Sequence, residues 1–234
     1  MKIKYLNHKT NLKTTGNWFR KRRAKPLIEL IMKVYIEKGT VRVLDVGGRE
    51  EYWQALDIDF LLKKCAKITI LNLSSDIKER ESKLFEYVVG DACKLSGYVN
   101  NSFDIVHSNS VIEHVGNWEK IKEFASETRR IAPNVFIQTP YFWFPVEPHF
   151  MKLAHHWLPK SCRATIWMKY SMGERRKAKD INDAMNKLDN EPYLLDIRMF
   201  RFLFPDCKII RERFLLFTKS LIAYRCVCNS LYER

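Results

Sequence analysis

The 234-residue chain is poor in glycine and proline, with eight of each, and it contains no low-complexity tract. That scarcity excludes long flexible linkers and favours one packed α/β unit with decorations. No run of residues stays apolar for the roughly 20 positions that a membrane-spanning helix needs. The basic N-terminus lacks a following apolar stretch, so no secretory signal is read and cytoplasmic residence is expected. Six cysteines, at 65, 93, 162, 207, 226 and 228, form no C-x-x-C pair and no Cys/His group with zinc spacing. Free, reduced thiols and no metal site are expected. Acidic residues are absent from Met1 to Lys25, where Lys2, Lys4, Lys9, Lys13 and the run Arg20 to Arg23 surround Trp18 and Phe19.

What is present is positive charge. A net charge of +14 predicts an anionic partner, such as an acidic or phosphorylated acceptor, nucleic acid, or the inner face of a membrane. A second basic stretch runs from Lys160 to Lys179. A solvated tail and a charged helix face account for the same residues equally well.

Residues 1–17 lack periodicity and read as a basic arm, with one domain over 18–234. Trp18 to Lys38 has apolar residues at helical spacing (Leu27, Leu30, Ile31, Val34, Tyr35), Pro26 near its start and Gly39 at its end. Val41 to Val46 is a β-branched run that stops at Gly47-Gly48, as a buried strand meeting a tight turn would. A helical stretch through Lys64 follows. Further strands are read at 67–73, 86–89, 103–108 and 135–139, the last preceded by a helix over 118–131. Strands separated by helix-length segments predict parallel β-α-β units. Beyond Pro140 the pattern changes. Residues 161–190 look helical and polar, 193–204 reads as an aromatic-rich helix, and strand-like runs at 207–216 and 220–228 must pair antiparallel across so short a link.

The glycine corner after the first strand would let backbone approach a ligand where a Cβ would clash. In doubly wound sheets, ligands bind beyond the carboxyl ends of strands. Alone, the corner is a weak signal. In order with it stand Ile70-Leu71-Asn72-Leu73-Ser74, Gly90-Asp91-Ala92, Phe103-Asp104-Ile105-Val106 and Val111-Ile112-Glu113-His114-Val115. Together with Val43-Leu44-Asp45-Val46-Gly47-Gly48, these segments resemble the motifs of class I, Rossmann-like S-adenosylmethionine-dependent methyltransferases, particularly small bacterial members. The resemblance covers about residues 41–140. It implies a doubly wound seven-stranded α/β sheet, mostly parallel, with an antiparallel C-terminal strand pair and helices on both faces. It also implies S-adenosylmethionine as cofactor, held by Asp45, Gly47, Gly48, Asn72, Leu73, Asp91, Ala92 and Asn109. Two positions depart from the usual pattern. Arg49 replaces the second motif glycine, and Asn72 stands where a carboxylate normally holds the ribose; an amide can accept one such bond without the charge-assisted component. Plain structural roles compete at each position: Asp45 tying down backbone N–H groups, Asp91 capping a turn, Arg49 opening a helix, and Glu113 and His114 starting one. Asp104 is read as structural.

Methyl transfer from a sulfonium is an in-line displacement in which charge on sulfur disappears, so alignment and a dry pocket are the main requirements. A hydroxyl acceptor also needs a base. Residues 141–204 form the expected acceptor-binding segment, and its Pro-, His- and aromatic-rich start supplies the candidates. His149 is the first choice for base, with Glu147 orienting it and His114 as competitor. Tyr141, Trp143, His155 and His156 are candidate acceptor contacts. The expected activity is O-methylation of a small-molecule or glycan-type acceptor, since aromatic faces suit ring surfaces. Two alternatives stay open: an RNA methyltransferase using the basic arm, and a catalytically silent scaffold.

Overall fold

A computed structural model describes residues 15–56, 58–73, 82–173 and 175–228, with side chains from residue 23 onward. Its centre is a seven-stranded sheet. The strands are β1 (Val41–Val46), β2 (Cys65–Asn72), β3 (Phe85–Val89), β4 (Ile105–Asn109), β5 (Asn134–Pro140), and, farther along, β8 (Lys208–Phe214) and β9 (Phe217–Arg225). Their spatial order is β3-β2-β1-β4-β5-β9-β8. The first five run parallel, while β9 pairs antiparallel with both β5 and β8. The doubly wound α/β expectation therefore holds, including the C-terminal antiparallel pair.

Alternation along the strands divides the core between the two faces. From β1, Leu44 and Val46 enter one cluster with Phe124, Ala125 and Phe200. Val41 and Val43 enter the other with Leu27, Leu30, Ile31 and Trp53. Successive side chains of a strand point to opposite faces, and both faces here are covered by helices, so β5 is buried at all seven positions. One cover is α1 (Thr15–Lys38), which carries the first core-facing leucines, Leu27 and Leu30. The other is α4 (Trp118–Ile131), started by the Asn117 side chain accepting from Lys120 N at 3.1 Å. Its buried face, Ile121, Phe124, Ala125, Thr128 and Ile131, follows helical spacing. Asp104 accepts from Arg42 N at 2.8 Å and pairs with Lys38 at 2.7 Å, a structural role.

Several boundaries differ from the sequence reading. Residues 15–17 belong to α1 instead of an arm, so Pro26 lies inside the helix; residues 1–14 fall outside the described residues. The stretch after β1 is two short helices, α2 (Glu50–Gln54) and α3 (Ile58–Lys64). Residues 161–190 hold α5 (Lys160–Lys169) and α6 (Ile181–Asp189), the latter capped by Asp180. The helix expected over 193–204 is only α7 (Ile197–Leu203), because Asp196 caps it and Leu195 bridges to Tyr141 instead. A small antiparallel pair, β6 (Val146–Glu147) and β7 (Lys152–Leu153), was not foreseen. Phe150, Ala164, Trp167, Met172, Ala184 and Leu188 form a third, smaller buried cluster beneath this segment.

Candidate active site

Three strand ends meet at one edge of the sheet. Gly47 N donates to Leu71 O at 2.7 Å, the Asn72 amide donates to Gly48 O at 3.0 Å, and Gly90 N donates to Asn72 O at 2.9 Å. The corner after β1, the end of β2 and the turn after β3 are thereby one hydrogen-bonded unit. Leu73 is exposed just beyond it, and Ala92 is buried behind Asp91. The convergence of residues 47–48, 72 and 91 at the carboxyl edge is the arrangement that a nucleoside-binding site of this fold requires.

The glycines have a reason beyond ligand approach. Gly47 has φ +67°, and a Cβ there would lie 2.5 Å from Val111 Cγ2. A Cβ on Gly48 would lie 1.7 Å from Asp45 Oδ2. Protein packed against the turn thus excludes side chains here.

Asp45 sits beneath that turn, fully buried. Its Oδ2 accepts from Trp53 Nε1 at 2.6 Å and its Oδ1 accepts from His107 Nδ1 at 2.7 Å. The His107 ring stacks between Tyr52 and Phe136, which fixes the pair from both sides. Asp45 thus supports the corner from inside instead of presenting a carboxylate to solvent. Asp91 caps its own turn, with Oδ1 accepting from Cys93 N at 2.8 Å. Asn109 Oδ1 accepts from Arg23 Nη1 at 2.5 Å, and Arg23 also pairs with Glu212 at 2.8 Å. Arg49 is exposed at the N-cap of α2. The side chains of Asp45 and Asn109, both expected as cofactor contacts, are engaged by protein partners. Asn72 keeps its amide oxygen, and Asp91 its second carboxylate oxygen, as acceptors beside the corner.

The loop after β4 leads from the glycine corner to a second cluster. Val111 packs at Gly47, and Ile112–His114 forms a 3₁₀ turn. Glu113 is buried; its Oε2 accepts from Thr139 Oγ1 at 3.1 Å, and Oε1 has no hydrogen-bond partner among the described residues. Burial pushes its carboxyl pKa up to about 7. His114 is exposed to solvent on one side, with protein packed around the rest of its ring. That crowding, reinforced by His149 and Arg175, pushes its pKa down to about 4. His114 and His149 meet edge to face with centroids 4.9 Å apart. Behind them Glu147 is buried, with Oε1 accepting from His149 Nδ1 at 2.7 Å and Oε2 accepting from the N–H groups of His149 and Phe150. Because a carboxylate only accepts, in the neutral ring Nδ1 carries the proton and Nε2 the lone pair. One ligand atom from each of Glu113, His114 and His149 lies within 4.8 Å of the others, so these three could hold a metal ion. From sequence Glu113 belongs to the loop motif after β4, with a helix start as the plain alternative; its buried, half-satisfied carboxylate appears only when β5 brings Thr139 beside it.

The remaining expected acceptor contacts divide. Trp143 is 54% exposed and packs against Phe142 and Trp157. Tyr141 is half-buried and bridges to Leu195. His155 is enclosed against Phe150 and Glu191, and His156 bonds the Phe142 carbonyl at 2.7 Å. Those two histidines fasten the segment to itself. Burial lowers the pKa of both. A separate open cleft of about 430 Å³ lies between residues 93–98 and α4, lined by Cys93, Lys94, Tyr98, Glu127 and Arg130 among others. It shares no residue with the candidate site, and it lacks the convergent strand ends that mark a ligand crevice in this fold.

Residues 44–134 match the family model described as a methyltransferase domain. No curated protein matches the chain. Among solved structures, a protein from Pyrococcus horikoshii OT3 shares the fold at a TM-score of 0.52 and 17% identity, covering 93% of this chain and 94% of its own. A SAM dependent methyltransferase from Archaeoglobus fulgidus does so at a TM-score of 0.51 and 16% identity, covering 89% and 94%. The domain match and the sheet order agree: the chain carries a class I S-adenosylmethionine-dependent methyltransferase domain. It is accordingly an enzyme that uses S-adenosylmethionine as methyl donor.

Proposed function

We propose that the enzyme methylates a hydroxyl of a small-molecule or glycan-type acceptor. The observation that carries this reading is the Glu147–His149 pair standing beside Glu113 and His114, one valine away from the glycine corner. A buried carboxylate that fixes an imidazole tautomer is the arrangement a proton-accepting histidine needs. In this reading Asn72 and Asp91 accept from the ribose and the adenine amine, and the Gly47–Gly48 corner supports the methionyl end. The acceptor enters between the 110–114 turn and the 141–150 segment, with Trp143 offering a ring surface. The attacking oxygen forms a bond to the methyl carbon as the carbon–sulfur bond breaks. The bond pair stays on sulfur, and the hydroxyl proton leaves toward the histidine side. Radiolabelled S-adenosylmethionine with a panel of hydroxyl acceptors tests this. His149→Ala should lower turnover by about 10²–10⁴-fold and retain S-adenosylhomocysteine binding; undiminished turnover in both His149→Ala and His114→Ala would remove the assignment.

The acceptor's setting is read from the same sheet edge. Ser220 pairs with Pro140, so the β8–β9 turn projects past the carboxyl end of β5. Leu215 and Leu216 in that turn are 81% and 94% exposed, and Arg211 and Arg213 lie on the strand leading into it. Arg23 anchors α1 to Asn109 and Glu212 at this edge. An apolar tip between basic residues suits an anionic lipid surface, and it would present the site to acceptors carried there. Among the described residues no helix is long and apolar enough to cross a membrane. Sedimentation with phosphatidylglycerol vesicles, lost in Leu215→Glu/Leu216→Glu, is the expected result. Binding of single-stranded RNA in place of vesicles would transfer the basic surface to a nucleic-acid substrate.

A further inference from the structure

We propose that Glu113, His114 and His149 form a binding site for one first-row divalent transition-metal ion. The inference rests on the reading of this pocket as the acceptor end of the site.

The first argument is the state of Glu113. Its carboxylate is enclosed at 1% exposure; Thr139 satisfies one oxygen, and the other has no partner among the described residues. An enclosed anionic oxygen without a donor is costly, and such groups are ordinarily paired or coordinated. Among the described residues no lysine or arginine hydrogen-bonds that oxygen: the Arg23 guanidinium is taken by Glu212 and Asn109. The groups gathered at the cluster are His114, His149 and Thr139, and Arg175 acts on His114.

The second argument is how the two imidazoles are held. Glu147 receives the Nδ1 proton of His149 at 2.7 Å and is itself fixed by two backbone N–H groups. A carboxylate behind a histidine is the usual outer support of a metal ligand, because it fixes the tautomer and raises the basicity of Nε2. Glu113 and His114 come from one 3₁₀ turn after β4, and His149 from the turn after β6, so two rigid strand ends deliver the set. The mutual limit of 4.8 Å between ligand atoms is close to the roughly 3–4 Å spanned by ligands bonded at about 2.1 Å. Small side-chain rotations close the difference.

Three protein ligands of His₂Glu type leave coordination positions open, which is the mark of a catalytic site as against a closed structural one. Imidazole and carboxylate together suit zinc, iron(II), manganese or cobalt. An acceptor hydroxyl at an open position would have its acidity raised by the ion, so its proton would pass to solvent and the oxygen would bond to the methyl carbon as the carbon–sulfur bond breaks, that bond's electron pair staying on sulfur. His149 and Glu147 then act as ligand and positioning residue.

The test uses the untagged full chain, dialysed against EDTA and titrated with Co²⁺. Visible absorption and calorimetry should show one ion per chain. Glu113→Gln and His149→Ala should each weaken binding at least tenfold, and Glu147→Gln by about 10- to 100-fold. S-adenosylhomocysteine affinity should be unchanged in all three, which also reports that each variant is folded. Absence of Co²⁺ binding by the wild type overturns the proposal, as does binding that survives both Glu113→Gln and His149→Ala. Turnover sensitive to His149→Ala yet indifferent to EDTA would sink the ion and leave the base reading standing. Stoichiometric binding with no hydroxyl acceptor methylated would keep the ion and remove the acceptor reading.

Discussion

Replacing Glu113 by Gln should stabilise the metal-free protein at alkaline pH, against the ordinary cost of changing a buried residue. The folded chain holds the Glu113 carboxyl at a pKa of about 7 against 4.5 for the free group, chiefly through burial. Between those values the folded chain keeps a proton that the unfolded chain has released. Stability therefore falls as pH rises through the window from about 4.5 to about 7, and above it the full penalty is carried. At about 1.4 kcal/mol per pKa unit, the shift corresponds to about 3 kcal/mol. Gln cannot ionise, so the variant escapes that penalty but must house an amide NH₂ near Thr139. A net gain of about 1–3 kcal/mol at pH 8 is expected, or about 3–10 °C in Tm for a chain of this size. Below pH 5 the difference should vanish. Thermal and urea unfolding in EDTA across pH 5–8 measure it. Equal stability of both proteins at pH 8, or a difference independent of pH, would refute the raised carboxyl. With Co²⁺ present the order should reverse, because only the wild type gains from ligation.

Other substitutions probe the rest of the edge. Gly48→Ala places a Cβ 1.7 Å from Asp45 Oδ2, so the corner must shift; a loss of more than about 3 kcal/mol in urea unfolding is expected. S-adenosylhomocysteine binding should be lost with it. Trp53→Phe keeps most of the packing but removes the indole donor 2.6 Å from a fully buried carboxylate. A destabilisation of about 1–3 kcal/mol is expected, measured by the same unfolding. His149→Ala should lower turnover by about 10²–10⁴-fold at unchanged S-adenosylhomocysteine affinity; single-turnover methylation with saturating cofactor checks it.

The strands and the cofactor edge were legible because they depend on local patterns. Val41–Val46 is a β-branched run stopped by a glycine pair and Trp118–Ile131 has helical spacing, and the structure places both with the boundaries read from sequence. The third to fifth strands shifted by a residue or two, as expected where hydrogen bonding and not composition decides the ends. Residues 193–204 were misread as one helix because tertiary pairing prevails over propensity there: Tyr193 N donates to Glu113 O and Leu195 bridges to Tyr141. The histidine-rich segment showed where to look but not which ring is free. Only the fold separates His149, held by one carboxylate, from His155 and His156, which secure the segment. Arg23 meets Glu212 across 189 positions of chain, a distance no sequence window spans.

Val111 stands between the two halves of the site: its methyl groups fill the space a side chain at Gly47 would need, and two positions on lies Glu113. The wall that shapes the donor's seat is thus continuous with the one that shapes the acceptor's. A bulkier residue at 111 would press on both, and donor and acceptor affinities should fall together.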